Sequence, residues 1–256
     1  MKKIFVLLAV CIFVLSLSSC QALLSTPADP ETEAAVNASL LSGYPQDVLP
    51  LYRADALISC GMSCRESDEY DIGKDIYTVN YESTADQQTL IQYYSALLTE
   101  QDESPTSEED VITDQLSGNI GEYKADIMFL DDMDSTTTVY LTLGLPSDQY
   151  TDENPYFSDY PKDLVDQYGV SSLLESTYQK QYYDGETLHY ITVYQTDLTE
   201  DEYAAHYKDA YSSKESFAQS ASGAYAFSWQ DGAFSVSTRY SGGNVPYVTI
   251  DVSKAG

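Results

Sequence analysis

His189 and His206 are the only imidazoles in the 256-residue chain, so a histidine general base would have to be one of them. Neither has a nucleophile at a recognisable spacing. No serine stands in a Gly-x-Ser-x-Gly elbow, and no Cys–His pairing is suggested by position. A Ser-His-Asp triad assembled from distant residues stays open, because its members need not be neighbours in the chain. Asp131, Asp132 and Asp134 gather in one loop and could offer oxygen ligands to calcium, without the spacing or closing bidentate Glu of an EF-hand. Cys60 and Cys64 are a candidate disulfide only if the chain turns at Gly61. On an extended strand their Cα atoms would lie roughly 13 Å apart, beyond bridging distance, and the thiols would then be free. Zinc lacks a nearby imidazole to join them. Gly242-Gly243 reads as a turn rather than a phosphate cradle, and Glu108-Glu109-Asp110 as a solvated run. Tyrosine is abundant, with 24 against 7 Phe and 1 Trp. Such rings serve either as half-buried framework or as the lining of a sugar or peptide groove. Trp229, Tyr182 and Tyr183 are the candidate ligand-contact aromatics.

The elements that must position these residues recur along the chain. Tyr44-Pro45-Gln46-Asp47-Val48 with Tyr52 returns as Tyr160-Pro161-Lys162-Asp163-Leu164 with Tyr168, and Leu57-Ile58 returns as Leu173-Leu174. Tyr77 and Tyr81 match Tyr190 and Tyr194, while Val139, Leu141 and Leu143 match Val248, Ile250 and Val252. In that alignment His206 falls on Tyr93 and His189 on Ile76, so neither histidine belongs to the shared framework. Asp184-Gly185 is a hairpin turn between two strands. Capping boxes at Thr84/Gln87 and Asp197/Glu200 start two helices, with Leu90, Ile91, Tyr94, Leu97 and Leu98 on one face and Tyr203, Tyr207, Ala210 and Tyr211 on the other helix. The period then changes to two: Tyr123, Ala125, Ile127 and Phe129 in one copy, Phe234, Val236, Thr238 and Tyr240 in the next. A further strand is expected near Val111 to Leu116, with a counterpart at Tyr225 to Trp229. These patterns predict an α+β protein of two tandem repeats. Each would be an antiparallel sheet of four or five strands with one helix on a face (ββαββ or ββαβββ). The repeats would span residues 44–146 and 160–256, joined by a linker over 147–159.

The N-terminus is of another kind. Lys2 and Lys3 precede an uncharged apolar run from Ile4 to Leu17, which is too short to span a bilayer as a helix and suits a signal peptide. It ends in Leu17-Ser18-Ser19-Cys20, which resembles the lipobox of bacterial prolipoproteins. That resemblance implies loss of residues 1–19, diacylglyceryl modification of the Cys20 thiol, and anchoring at the cell membrane facing the extracytoplasmic side. Several acyl chains give stable attachment where one gives little. Residues 20–43 then read as the lipidated cysteine and a flexible tether, and Gln21 lacks the aspartate that the family associates with inner-membrane retention. The Tyr-Pro openings also resemble the start of repeats in uncharacterised bacterial lipoproteins, which brings no activity with it.

The chain carries 41 acidic against 12 basic residues, a net charge of −29. That field repels nucleic acid and anionic headgroups, so attachment must rest on lipid rather than a basic patch. The expectation is a non-catalytic envelope binding or interaction protein with no cofactor, calcium being the one candidate ion. Its ligand would be a protein or saccharide, held in the cleft between the copies. One alternative is an acidic accessory factor for cationic peptides or an envelope enzyme. Another is an envelope hydrolase, which would require His189 or His206 in a deep pocket beside Ser or Asp.

Overall fold

The computed structural model describes residues 30–66, 72–101, 113–131, 136–220 and 225–255. Cys20, the signal segment, Asp132 and Asp134 lie outside these residues. Twelve strands form one continuous antiparallel sheet in the order β3-β4-β5-β6-β2-β1-β7-β8-β12-β11-β10-β9. The first half of the chain supplies β1 (Ala54–Arg65), β2 (Asp75–Ser83), β3 (Glu100–Gln101), β4 (Thr113–Ile120), β5 (Tyr123–Asp131) and β6 (Thr137–Gly144). The second supplies β7 (Val170–Gln181), β8 (Thr187–Thr196), β9 (Glu215–Gln219), β10 (Ala226–Asp231), β11 (Phe234–Ser241) and β12 (Tyr247–Ala255). Among the described residues three helices accompany them: α1 (Pro30–Ser39), α2 (Gln87–Ser95) and α3 (Glu200–Tyr211).

This overturns the expected pair of small α+β sheets. The molecule is largely β, and its two halves merge where β1 pairs with β7, from Ser59 opposite Gln181 to Arg65 opposite Glu175. The reason is backbone satisfaction. In separate sheets β1 and β7 would each present an unpaired edge, together with Met62 and Tyr178, which face each other here on the covered side. The alternation of side chains is the same for an edge strand and a central one, so it carried no sign of the merger. The described parts of the intervals read as tether and linker are also structured. Val36 and Leu41 are buried, and of two short 3-10 turns at Ser147–Gln149 and Pro155–Asp159 the second is capped by buried Asn154 and contains buried Phe157.

One face of the sheet is covered and the other is open. The covered face carries Tyr77, Val79, Tyr81, Ile127, Phe129, Leu141, Tyr194, Phe227, Trp229, Val236, Val248 and Ile250, all buried beneath the helices, the N-terminal segment and the linker. The open face follows from the alternate positions. One row across ten strands reads Ser117, Asp126, Thr142, Thr78, Gly61, Gln179, His189, Ser253, Ser235, Gln230. No large apolar side chain stands in that row, as an antiparallel sheet with one wet face requires.

The helix starts differ from those expected. Asp86 caps α2 by accepting from the Thr89 amide at 2.9 Å, and Thr199 caps α3 in a capping box with Glu202. Thr84 is held outside α2 because its amide donates to the Asp55 carboxylate at 2.7 Å.

Candidate functional site

Tyrosines tie each helix to the loop that precedes its half of the sheet. In the first half, Tyr81 and Tyr94 share a hydrogen bond at 2.7 Å, Tyr94 accepts from the Tyr52 amide and its hydroxyl also lies 3.0 Å from the Pro50 carbonyl, and Tyr52 stacks on Tyr93 at 4.1 Å. In the second half, the hydroxyls of Tyr194 and Tyr207 lie 3.3 Å apart and Tyr207 donates to the Asp166 carbonyl at 2.8 Å. Tyr168 stacks there on His206, with ring centroids 3.6 Å apart. Burial drives the pKa of Tyr81, Tyr94, Tyr203 and Tyr207 upward, which keeps these phenols neutral.

Both histidines meet a carboxylate. His206 Nε2 lies 2.9 Å from Asp166, whose carboxylate also accepts from the Tyr211 hydroxyl at 2.9 Å. His189 Nδ1 lies 3.2 Å from Asp251 on the open face. Among the described residues, no serine hydroxyl is hydrogen-bonded to either imidazole, so neither pair is extended to a nucleophile.

Other candidates are dispersed. Cys60 and Cys64 are free, buried thiols on one continuous strand, which corrects the disulfide: β1 does not turn at Gly61, and that residue pairs with Thr78 and Gln179 on either side. Burial raises both thiol pKa values, that of Cys64 to about 12, which keeps them protonated and unreactive. Trp229 is only 1% exposed and stacks on Tyr211 at 4.3 Å, so its ring belongs to the core rather than to a ligand surface. Its neighbours held the signal: Phe227 and Trp229 alternate with Ala226, Ser228 and Gln230, placing both rings on the covered face. Tyr182 is half-buried and donates to the Ser39 carbonyl at 2.8 Å, whereas Tyr183 is 87% exposed. Asp131 accepts from the Thr137 hydroxyl at 3.2 Å. Among the described residues no group of three His, Cys, Asp or Glu side chains is placed to hold a metal ion, and no helix is long and apolar enough to cross a membrane.

The described residues form concavities large enough for a small ligand. A depression of about 520 Å³ on the open face is lined by Ser228, Ser237, Arg239, Thr249 and Asp251. A second, of about 300 Å³, lies between the linker, the loop before β7 and β7 itself, lined by Glu153, Phe157, Tyr160, Lys162, Val165, Asp166, Gln167 and Leu173. Sequence reading missed this second wall because Glu153 and Phe157 fall in the stretch taken as linker, while Tyr160, Lys162 and Leu173 were read only as repeated framework. Comparison with family models, curated proteins and solved structures finds no match for the chain.

Proposed function

We propose that the chain is a membrane-anchored extracytoplasmic lipoprotein whose folded part binds a ligand rather than converting one. The observation that carries the location is the sequence Leu17-Ser18-Ser19-Cys20 directly after a short apolar run with two lysines before it. Binding is supported by the 300 Å³ cavity, which mixes an apolar wall with a few polar groups in the manner of small-ligand sites. The histidine–carboxylate pairs serve a different end in this reading: His206 clamps the loop at Asp166 to α3, and its ring face is covered by Tyr168.

Replacing Cys20 with Ala tests the anchor. The variant is expected to lose lipid labelling and to leave the membrane fraction, and undiminished lipid labelling would overturn the assignment.

A second reading is favoured by the net charge of −29: an accessory factor that holds cationic peptides or a basic envelope protein by its field. Salt separates the two. Association through the field weakens steeply as the Debye length shortens from about 10 Å at 0.1 M to about 3 Å at 1 M, whereas binding in the cavity persists.

A further inference from the structure

The loop from Tyr160 to Tyr168 and the loop from Tyr44 to Tyr52 hold corresponding places in the two halves, yet only the former borders the cavity. In the first half the equivalent positions are filled with apolar bulk: Leu49, Leu51 and Leu57 are 0%, 4% and 9% exposed. Their counterparts are Val165, Gln167 and Leu173, and Leu173 is 40% exposed. The hydroxyl of Tyr44 donates to the Leu49 carbonyl at 2.7 Å. That of Tyr160, a side chain 95% buried to judge from its 5% exposure, has no partner among the described residues. The same place in the first half is occupied by buried leucines, whereas the second half carries Val165 and Gln167 there and leaves Leu173 exposed beside the cavity.

The lining then restricts the occupant. Phe157 and Tyr160, stacked 4.7 Å apart, with Val165 and Leu173 form an apolar wall. Against it stand two carboxylates, Glu153 and Asp166, and one ammonium, that of Lys162. Asp166 already accepts from His206 and Tyr211, but a carboxylate has about four acceptor sites and keeps some free. A neutral sugar would displace water from these charges without replacing it by counter-charge. A simple cation would face Lys162, and a simple anion would face both carboxylates. A ligand with an ammonium, a carboxylate and an apolar body answers every part of the wall.

We propose that this cavity recognises a small apolar zwitterion, the chemistry shared by apolar α-amino acids and their short peptides. The proposal rests on the reading of the chain as a binding protein and goes further by naming the ligand class and the site. Its ammonium meets Asp166 and Glu153, its carboxylate meets Lys162, and its body lies on Phe157, Tyr160, Val165 and Leu173.

The test is calorimetric titration of the whole chain in detergent with norleucine, leucyl-leucine, pentylamine and hexanoate. The two zwitterions are expected to bind with one site per chain, and pentylamine and hexanoate at least tenfold more weakly. Tighter binding of leucyl-leucine than of norleucine assigns the cavity to peptides; the reverse assigns it to free amino acids. Lys162→Gln, an exposed change that does not touch the core, is expected to weaken the zwitterions at least fivefold and to leave pentylamine unchanged. Gln167→Leu, which restores the first-half residue, is expected to abolish binding with the melting temperature kept or raised. Two sites per chain, equal binding by both variants, or no heat with either zwitterion would each overturn the proposal. A cationic peptide or an oligosaccharide that binds the same sample with Lys162→Gln and Gln167→Leu inert would overturn it as well, while leaving the wider reading as a binding protein standing.

Discussion

A tyrosine that places a large apolar ring in the core usually finds a partner there for its hydroxyl, and in this sheet the phenols supply partners for one another. Tyr81 with Tyr94 and Tyr194 with Tyr207 are hydroxyl pairs, and Tyr203 donates to Thr238 at 2.6 Å. Each of these five tyrosines is 0% exposed. Their raised pKa values translate into a pH dependence of stability. The folded state holds the phenol proton more tightly than the unfolded chain, so the contribution is complete below the unfolded value of about 10. It declines as pH rises above that value, until the folded pKa is reached, which for Tyr194 is about 12. Several such groups lose their contribution over the same range, so the sheet is expected to unfold as pH is raised above about 10. Tyrosinate absorbance and far-ultraviolet circular dichroism followed together measure this. The buried phenols should ionise in one cooperative step as the sheet signal is lost. Their gradual ionisation in an intact sheet would show that the cluster opens locally instead.

At the scale of elements, the two helix caps separate what local sequence decides from what distant partners decide. Thr199 is expected to hold α3 in place so that Thr199→Ala costs about 1 kcal/mol, read as a lower urea midpoint at unchanged slope. Asp86→Ala should cost a similar amount at neutral pH. Its carboxyl pKa is lowered by hydrogen bonds from the Thr89 hydroxyl and amide, so the contribution is present above the unfolded value and lost as pH falls through the folded one. Thr84→Ala, by contrast, should be nearly neutral, and a cost equal to that of Asp86→Ala would restore Thr84 as the cap. The stretch from Thr84 to Gln87 contains two acceptable caps, and the choice is made by Asp55, a residue 29 positions away that captures the Thr84 amide. The strands were legible because residues such as Ile127 and Phe129 alternate with Asp126 and Met128. Their neighbours were not, since hydrogen-bonding partners of a strand leave no mark on its own alternation. Likewise the two helices could be read from Leu90 and Tyr94, and from Tyr203 and Tyr207, all buried as their spacing implied. The cavity was illegible for a different reason: it is defined by what Val165 and Gln167 fail to fill, and an absence of bulk appears only once the surrounding chain is in place.

For the molecule as a whole, the question is whether two halves joined at a seam behave as one cooperative body. The β1–β7 ladder is extended at both ends by Glu66 N donating to Leu174 O at 2.8 Å and Tyr182 N donating to Ile58 O at 2.9 Å. Met62 and Tyr178 are buried at the seam, and the linker crosses it there: Asn154 donates to the Met62 carbonyl at 2.6 Å, and Tyr156 stacks on Tyr178 at 4.9 Å. Tyr182 and Cys60 both reach the Ser39 carbonyl at the end of α1, drawing the N-terminal segment into the same junction. Unfolding either half alone would expose this apolar surface and leave a full strand edge unpaired, so partial unfolding is costly on both counts. The expected result is a single calorimetric transition whose measured and van't Hoff enthalpies agree. Asn154→Ala makes the prediction sharper. Loss of a buried amide donor costs about 1–3 kcal/mol, which for a chain of this size lowers the midpoint by about 2–12 °C. If the seam unites the halves, that shift moves the one transition as a unit. A variant whose transition divides in two would mean that the halves are held together only by the linker contact, and that the twelve-stranded sheet is two cooperative units sharing an edge.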